Sequence, residues 1–229
     1  MSKRTISQIV VDIETIPGLE KPGPEDISVP ANYTKPETIE NYRNDPDRLN
    51  REWIKQSLDV YRGRIHTIAW KINSEKTQYV YHDGSEEELL LKRFEKALVE
   101  AFEAHYDGNS TMYGVTWVGH NIKRFDMPFI WLRARKYKCE KLINMIGNSP
   151  RDIKMEDTML WLNFNSYKDY VSLDVGCKLF GLPGKDEMDG SKVFSYWQAG
   201  KNKEIAEYGA DDVDKEYNLA VALGIIVPE

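Results

Sequence analysis

The sequence predicts an α/β domain with a mixed sheet. Three features carry that expectation: an apolar strand with two carboxylates set into it near the amino terminus, a β-hairpin pattern after a long polar excursion, and alternating helical and strand periods beyond it. The 229 residues suit one domain, residues 1–229, and can bury a substantial core. Hydrophobic residues make up 41% and charged residues 30%, as in globular rather than disordered chains.

Residues 7–14 read as the first strand, ended by Ile16-Pro17-Gly18. Six of the ten prolines fall between Pro17 and Pro46, so that stretch reads as irregular, followed by a charged helical piece to about Tyr61. Together residues 17–62 form a Pro-rich, charged insertion, either a lid or substrate arm or a surface loop. Arg64 to Ile72 and Thr77 to Tyr81, around Asn73-Ser74, make a hairpin. Ser85-Glu86-Glu87-Glu88 has capping-box spacing and opens an amphipathic helix to about residue 106. Val115 to Val118 reads as a strand, residues 126–138 as a helix, and Ile153 to Leu160 as a further strand. A short helix begins at Ser172 and stops at Gly181-Leu182-Pro183.

The last helix, from about Asn202 to Leu223, is the most informative. At about 100° per residue, Ile205, Gly209, Val213, Ala220 and Leu223 share one stripe. Asp212 falls inside that stripe, Tyr208 at its edge, and Glu216 also points inward. Glu207, Asp211 and Asp214 point away, where Asp211 can pair with Lys215 on a solvated face. A carboxylate on the buried side of a helix needs a partner.

Composition excludes several classes. The basic start, Met1 to Arg4, precedes an apolar run stopped at Asp12, too short for a signal peptide or membrane span, so a cytoplasmic protein without membrane association is expected. Cys139 and Cys177 are isolated and indicate neither disulfides nor a zinc ribbon. A net charge of −6 argues against a protein that coats duplex nucleic acid, though not against local contact. The four histidines share no ligand spacing; His120 alone abuts a motif. Asp157 reads as an ordinary strand end, and most tryptophans as core, with Trp53 or Trp117 available to stack a base.

In Val10-Val11-Asp12-Ile13-Glu14-Thr15 the two carboxylates project to one side of the strand and Val11 and Ile13 to the other. A metal ion, an Arg or Lys, or protonation would neutralise the anionic face, and a solvated strand end is the plainer alternative. Asp126, in Phe125-Asp126-Met127-Pro128, stands in a first helical turn, where an acidic residue commonly serves as a cap or dipole partner. Taken together, Asp12, Glu14, Asp126 and Asp212 supply four carboxylates from separate segments, the donor set that two Mg²⁺ or Mn²⁺ ions require. Such ions, roughly 3.5–4 Å apart, clamp a phosphodiester.

Val11-Asp12-Ile13-Glu14-Thr15 resembles the first motif of the DEDD, DnaQ-like 3′-5′ exonucleases. His120 through Asp126 is similar to the second, and Tyr208-Gly209-Ala210-Asp211-Asp212 to the third in its tyrosine form. With Leu182-Pro183-Gly184-Lys185 through Asp189-Gly190-Ser191, the resemblance is closest to the predicted exonucleases related to the proofreading domain of family B DNA polymerases. It implies a ribonuclease H-like sheet, antiparallel in its first three strands and then parallel, flanked by helices. It implies a two-metal exonuclease that releases nucleoside monophosphates from single-stranded or frayed 3′ DNA ends. Its catalytic residues would be Asp12, Glu14, Asp126, Tyr208 and Asp212, with Asp12 bridging the ions and Tyr208 holding the attacking water. Thr15, Asn121 and Phe125 are substrate-contact candidates, and a DNA polymerase or replication or repair complex is a candidate partner. The same chemistry on RNA, or a non-catalytic nucleic-acid or polymerase-binding module with this fold, are the alternatives.

Overall fold

The computed structural model of the chain describes residues 6–82, 86–105, 115–184 and 188–228. Two compact units divide it: residues 1–14 with 65–229, and residues 15–64. The larger unit is built on a five-stranded sheet in the order β3-β2-β1-β4-β5. Its strands are β1 Gln8–Ile16, which runs on into the smaller unit, β2 Arg64–Ile72, β3 Gln78–Tyr81, β4 Thr116–Gly119 and β5 Met155–Asp157. β2 and β3 form the expected antiparallel hairpin, whereas β1 pairs β4, and β4 pairs β5, in parallel. The expected mixed sheet flanked by helices is therefore present.

The smaller unit corrects the irregular reading over residues 36–43 and carries the helical piece expected from about Pro46. It contains two helices, α1 Pro36–Arg43 and α2 Pro46–Lys55, each with proline in its first turn, where the missing N–H costs nothing. Asp45 caps α2 by accepting from the N–H groups of Asp47 and Arg48. The Trp53 indole donates to the Gly18 carbonyl at 2.9 Å, and the Arg48 guanidinium lies 3.4 Å from the Tyr42 ring centroid. A Cβ at Gly18 would fall 2.5 Å from the Arg62 carbonyl oxygen, so glycine is what lets these turns close.

In the larger unit α3 Glu87–His105, α4 Asp126–Lys136 and α5 Glu140–Ile146 pack together, and α3 reaches the sheet where Trp70 meets Phe94 at 4.9 Å between centroids. Ser85 of the capping-box reading lies outside the described residues. Glu87 does something different from capping: it is buried and accepts from the Ile65 N–H, the Arg133 Nε and the Tyr137 hydroxyl. The strand expected over residues 153–160 is only β5; α6 Thr158–Leu162 takes over because the Asp157 carboxylate accepts from the Met159 and Leu160 N–H groups. α7 Leu173–Leu179 is capped by Ser172 as expected, and α8 Val193–Gln198 adds a short turn.

The long α9 Asn202–Ala222 lies on the sheet, with Val213 and Ala220 against Val10, Ala69 and Val118. Val10 shares the face of β1 from which Asp12 and Glu14 project, so α9 covers the carboxylate side. Leu219 of α9 also packs on Leu173 and Cys177, which seats α7 against it. Both cysteines are free and buried. Among the described residues no helix is long and apolar enough to cross a membrane.

Candidate active site

β4 ends at Gly119, while β1 continues past it, and there the side chains of motif residues take over the strand's hydrogen bonds. With Val10 opposite Val118, the backbone of Ile13 lies beyond the last β4 residue. Its N–H donates instead to Asp126 Oδ1, at 3.0 Å. A carboxylate at the head of α4 is thereby fixed to the backbone of the residue between Asp12 and Glu14. α9 approaches the carboxylate face through Gly209: a Cβ there would lie 3.6 Å from both Asp12 Oδ2 and Glu14 Cγ. Tyr208 and Asp212 flank that glycine, and the tyrosine hydroxyl donates to the Asp212 carboxylate. The five expected catalytic side chains, Asp12, Glu14, Asp126, Tyr208 and Asp212, thus stand together.

Burial sets the electrostatics. It pushes Asp12 well above the usual carboxylate range, and the charges of Glu216, Asp126, Glu14 and Asp212 push in the same direction. Burial raises Asp126 to about 7, against the pull of the Ile13 N–H. Tyr208 is raised by burial and then by the Asp212 and Glu14 charges, which keeps the phenol neutral. Lys215 is the local counter-charge, with Asp212 Oδ1 at 3.6 Å and Asp211 in contact. The Asp211–Lys215 pair was expected on a solvated face, but Lys215 is buried because its chain reaches inward to Asp212.

Glu216, which the helical wheel turned inward without a role, is 2% exposed and joins this cluster. Its Oε1 accepts from the His120 N–H at 3.1 Å, and burial followed by the Asp126 and Asp212 charges raises it well above its ordinary value. Asp157, read as an ordinary strand end, also organises the second motif. Beyond capping α6 it accepts from the Asn121 and Lys123 N–H groups, holding Asn121 at a φ of 64°. No local signal marks it, since its partners lie 34 and 36 residues away.

The remaining candidates are placed as follows. Phe125 precedes α4 and packs on Phe129 at 5.2 Å. The Thr15 hydroxyl donates to the Ser57 carbonyl within the smaller unit. His120 bonds Thr158 Oγ1 and the Val171 carbonyl, and His66 bonds Thr67 and Asn202, both structural roles. Neither Trp53 nor Trp117 is a stacking surface: both are buried, because their large rings complete their units' cores.

Among the described residues no three His, Cys, Asp or Glu side chains are already gathered as a cation's ligand set. The geometry gives the reason, since Asp126 turns to Ile13, Glu216 to His120 and Asp212 to Tyr208 and Lys215. The donor chemistry nonetheless suits a hard cation. All donors are carboxylates, and Asp12 Oδ2 and Glu216 Oε2 are buried acceptors that no described donor reaches.

This crowding has a pH signature. Asp126 binds its proton more tightly in the folded state, so the stability tied to it is fully present below about pH 4 and is lost as pH rises through about 7. In EDTA, lowering the pH from about 8 to about 5.5 restores about 2 kcal/mol, or about 4–8 °C in melting temperature. Differential scanning calorimetry of the wild type and of Asp126→Asn checks this; the variant's profile is flatter over that window.

Residues 64–223 match the family described as "Predicted 3'-5' exonuclease related to the exonuclease domain of PolB". That range includes Asp126, Tyr208 and Asp212 and begins after Asp12 and Glu14. Among solved structures, the fold is similar to that of the family B DNA polymerase from the hyperthermophilic archaeon Pyrobaculum calidifontis, with a TM-score of 0.58 and 18% identity. The likeness covers 96% of this chain and 25% of that one, so the chain spans about a quarter of the polymerase's length. No match is found among curated proteins. With 160 of its 229 residues inside the family's range, the chain belongs to the predicted 3′-5′ exonucleases related to the exonuclease domain of PolB.

Proposed function

We propose that the protein is a 3′-5′ exonuclease that removes nucleoside 5′-monophosphates from single-stranded or frayed DNA ends. The observation that supports it is the crowding of Asp12, Glu14, Asp126, Tyr208 and Asp212 where β1 outruns β4. In the reaction a water oxygen bonds to the terminal phosphorus and the P–O3′ bond to the preceding nucleotide breaks, leaving a new 3′-hydroxyl. Asp12, Glu14, Asp126 and Asp212 would hold two divalent cations, Mg²⁺ or Mn²⁺, whose charge neutralises the phosphodiester and makes water a better nucleophile.

The chain's own groups divide the remaining work. Tyr208 is a neutral phenol whose hydrogen goes to Asp212, so its oxygen can accept a hydrogen bond and orient the attacking water, and it is too weak an acid to be the base. Gly209 brings the α9 backbone close over Asp12 and Glu14, where a Cβ would already be in van der Waals contact with both. Lys215 limits the repulsion at Asp212.

Labelled single strands test the direction and the products. With Mg²⁺ or Mn²⁺, 5′-labelled DNA gives a descending ladder and 3′-labelled DNA gives a mononucleotide as its first labelled product; EDTA stops both. Intact substrate with both ions, or first release from the 5′ end, overturns the proposal.

A further inference from the structure

The chain exposes an array of aromatic rings that the catalytic cluster does not use. Trp161, Phe164, Tyr167 and Tyr170 follow one another at every third residue, and all four are exposed, Phe164 by 94% and Tyr170 by 73%. The segment is ordered by its own hydrogen bonds: Asn165 N–H to the Leu160 carbonyl at 2.7 Å, the Asn163 amide to the Asp169 carbonyl, and Lys168 N–H to Ser166 Oγ. Phe164 and Asn165 sit at φ of 51° and 62°, a turn that a bulky aromatic residue rarely adopts and that directs Phe164 into solvent.

We propose that this segment is a stacking platform for single-stranded nucleic acid, which holds the bases of the strand behind its 3′ end. The proposal rests on the exonuclease reading for the identity of that strand. Three observations favour it. Cations accompany the rings: the Arg124 guanidinium lies 5.5 Å from the Tyr167 ring centroid, and Lys123 and Lys168 are the sequence neighbours of that pair. The platform is continuous with the site, since His120 of the second motif bonds both Thr158 and the Val171 carbonyl next to Tyr170, and Arg124 is two residues from Asp126. Finally, Asn163, Asn165, Ser166 and Lys168 separate the rings, so they offer faces for stacking without the continuous apolar surface that a protein partner would bury.

The test measures binding and chemistry separately. In EDTA, anisotropy of a fluorescein-labelled oligothymidylate of about 20 nucleotides reports affinity for the wild type, for the triple variant Phe164→Ala, Tyr167→Ala, Tyr170→Ala, and for Phe164→Trp. The triple variant binds at least about tenfold more weakly, and Phe164→Trp retains wild-type affinity. The p-nitrophenyl ester of thymidine 5′-monophosphate has no upstream bases, so with Mn²⁺ its hydrolysis has the same kcat/KM in the triple variant and the wild type. Unchanged oligothymidylate affinity in the triple variant overturns the platform. So does a wild-type dimer, seen in sedimentation, that the triple variant dissolves while its affinity for the strand is unchanged. Ring-dependent binding without hydrolysis of either substrate supports the platform and overturns the exonuclease reading.

Discussion

Asp12→Asn lowers the rate of 3′-end digestion by about 10³-fold or more while leaving the protein folded. Asp12 projects from the middle of the cluster, with Gly209 of α9 above it and Asp126 anchored to the next residue of its own strand. The asparagine is nearly the same size, so the packing of β1 and α9 is retained. Four acidic neighbours, Glu216, Asp126, Glu14 and Asp212, all repel the Asp12 charge, and removing that charge relieves the repulsion. The variant's melting temperature in EDTA at pH 8 therefore equals or exceeds that of the wild type, although activity is lost. Single-turnover digestion and calorimetry on the same preparation check both halves. Activity above about a tenth of wild type, too small a loss for a central ligand, removes Asp12 from the chemistry.

Glu87→Ala produces the opposite pattern, a large loss of stability with little effect on the chemistry of whatever remains folded. Glu87 accepts from the Ile65 backbone, Arg133 and Tyr137, joining the start of α3 to β2 and α4. Its ion pair with Arg133, at 3.1 Å, is almost fully buried. Truncating one member of a buried pair leaves the other charge desolvated, at a cost of about 3–5 kcal/mol. For a chain of this size the melting temperature falls by about 10 °C or more. Glu87→Gln retains two of the acceptor contacts and falls by less. Thermal denaturation at neutral pH measures both; an unchanged midpoint in Glu87→Ala removes this network from the fold's support.

These two residues mark what the sequence makes legible. Asp12 is readable because strand alternation needs only adjacent residues, and Asp212 because the stripe of α9 spans a few turns of one helix. Glu87 reads locally as part of a capping box, since the partner that explains its burial is 46 residues away. Distance hides Asp157 in the same way. Pro36 misleads for another reason: in the first turn proline starts a helix rather than breaking one, so α1 hides in a stretch that counts as irregular by composition. Among the aromatics, large rings favour both cores and ligand platforms. Trp53 and Trp117 prove to be core, whereas the exposed rings lie in a loop whose turn at Phe164 no periodicity announces.

The bond from the Ile13 amide to Asp126 belongs to two structures at once. For the sheet it replaces the rung that β4 is too short to provide, and for the acidic cluster it aims a carboxylate. A proton arriving at Asp126 therefore weakens the Ile13 bond even as it relieves the buried charge. Sheet and acidic cluster meet in this one side chain, so its removal would be felt in the fold whatever it does to the chemistry.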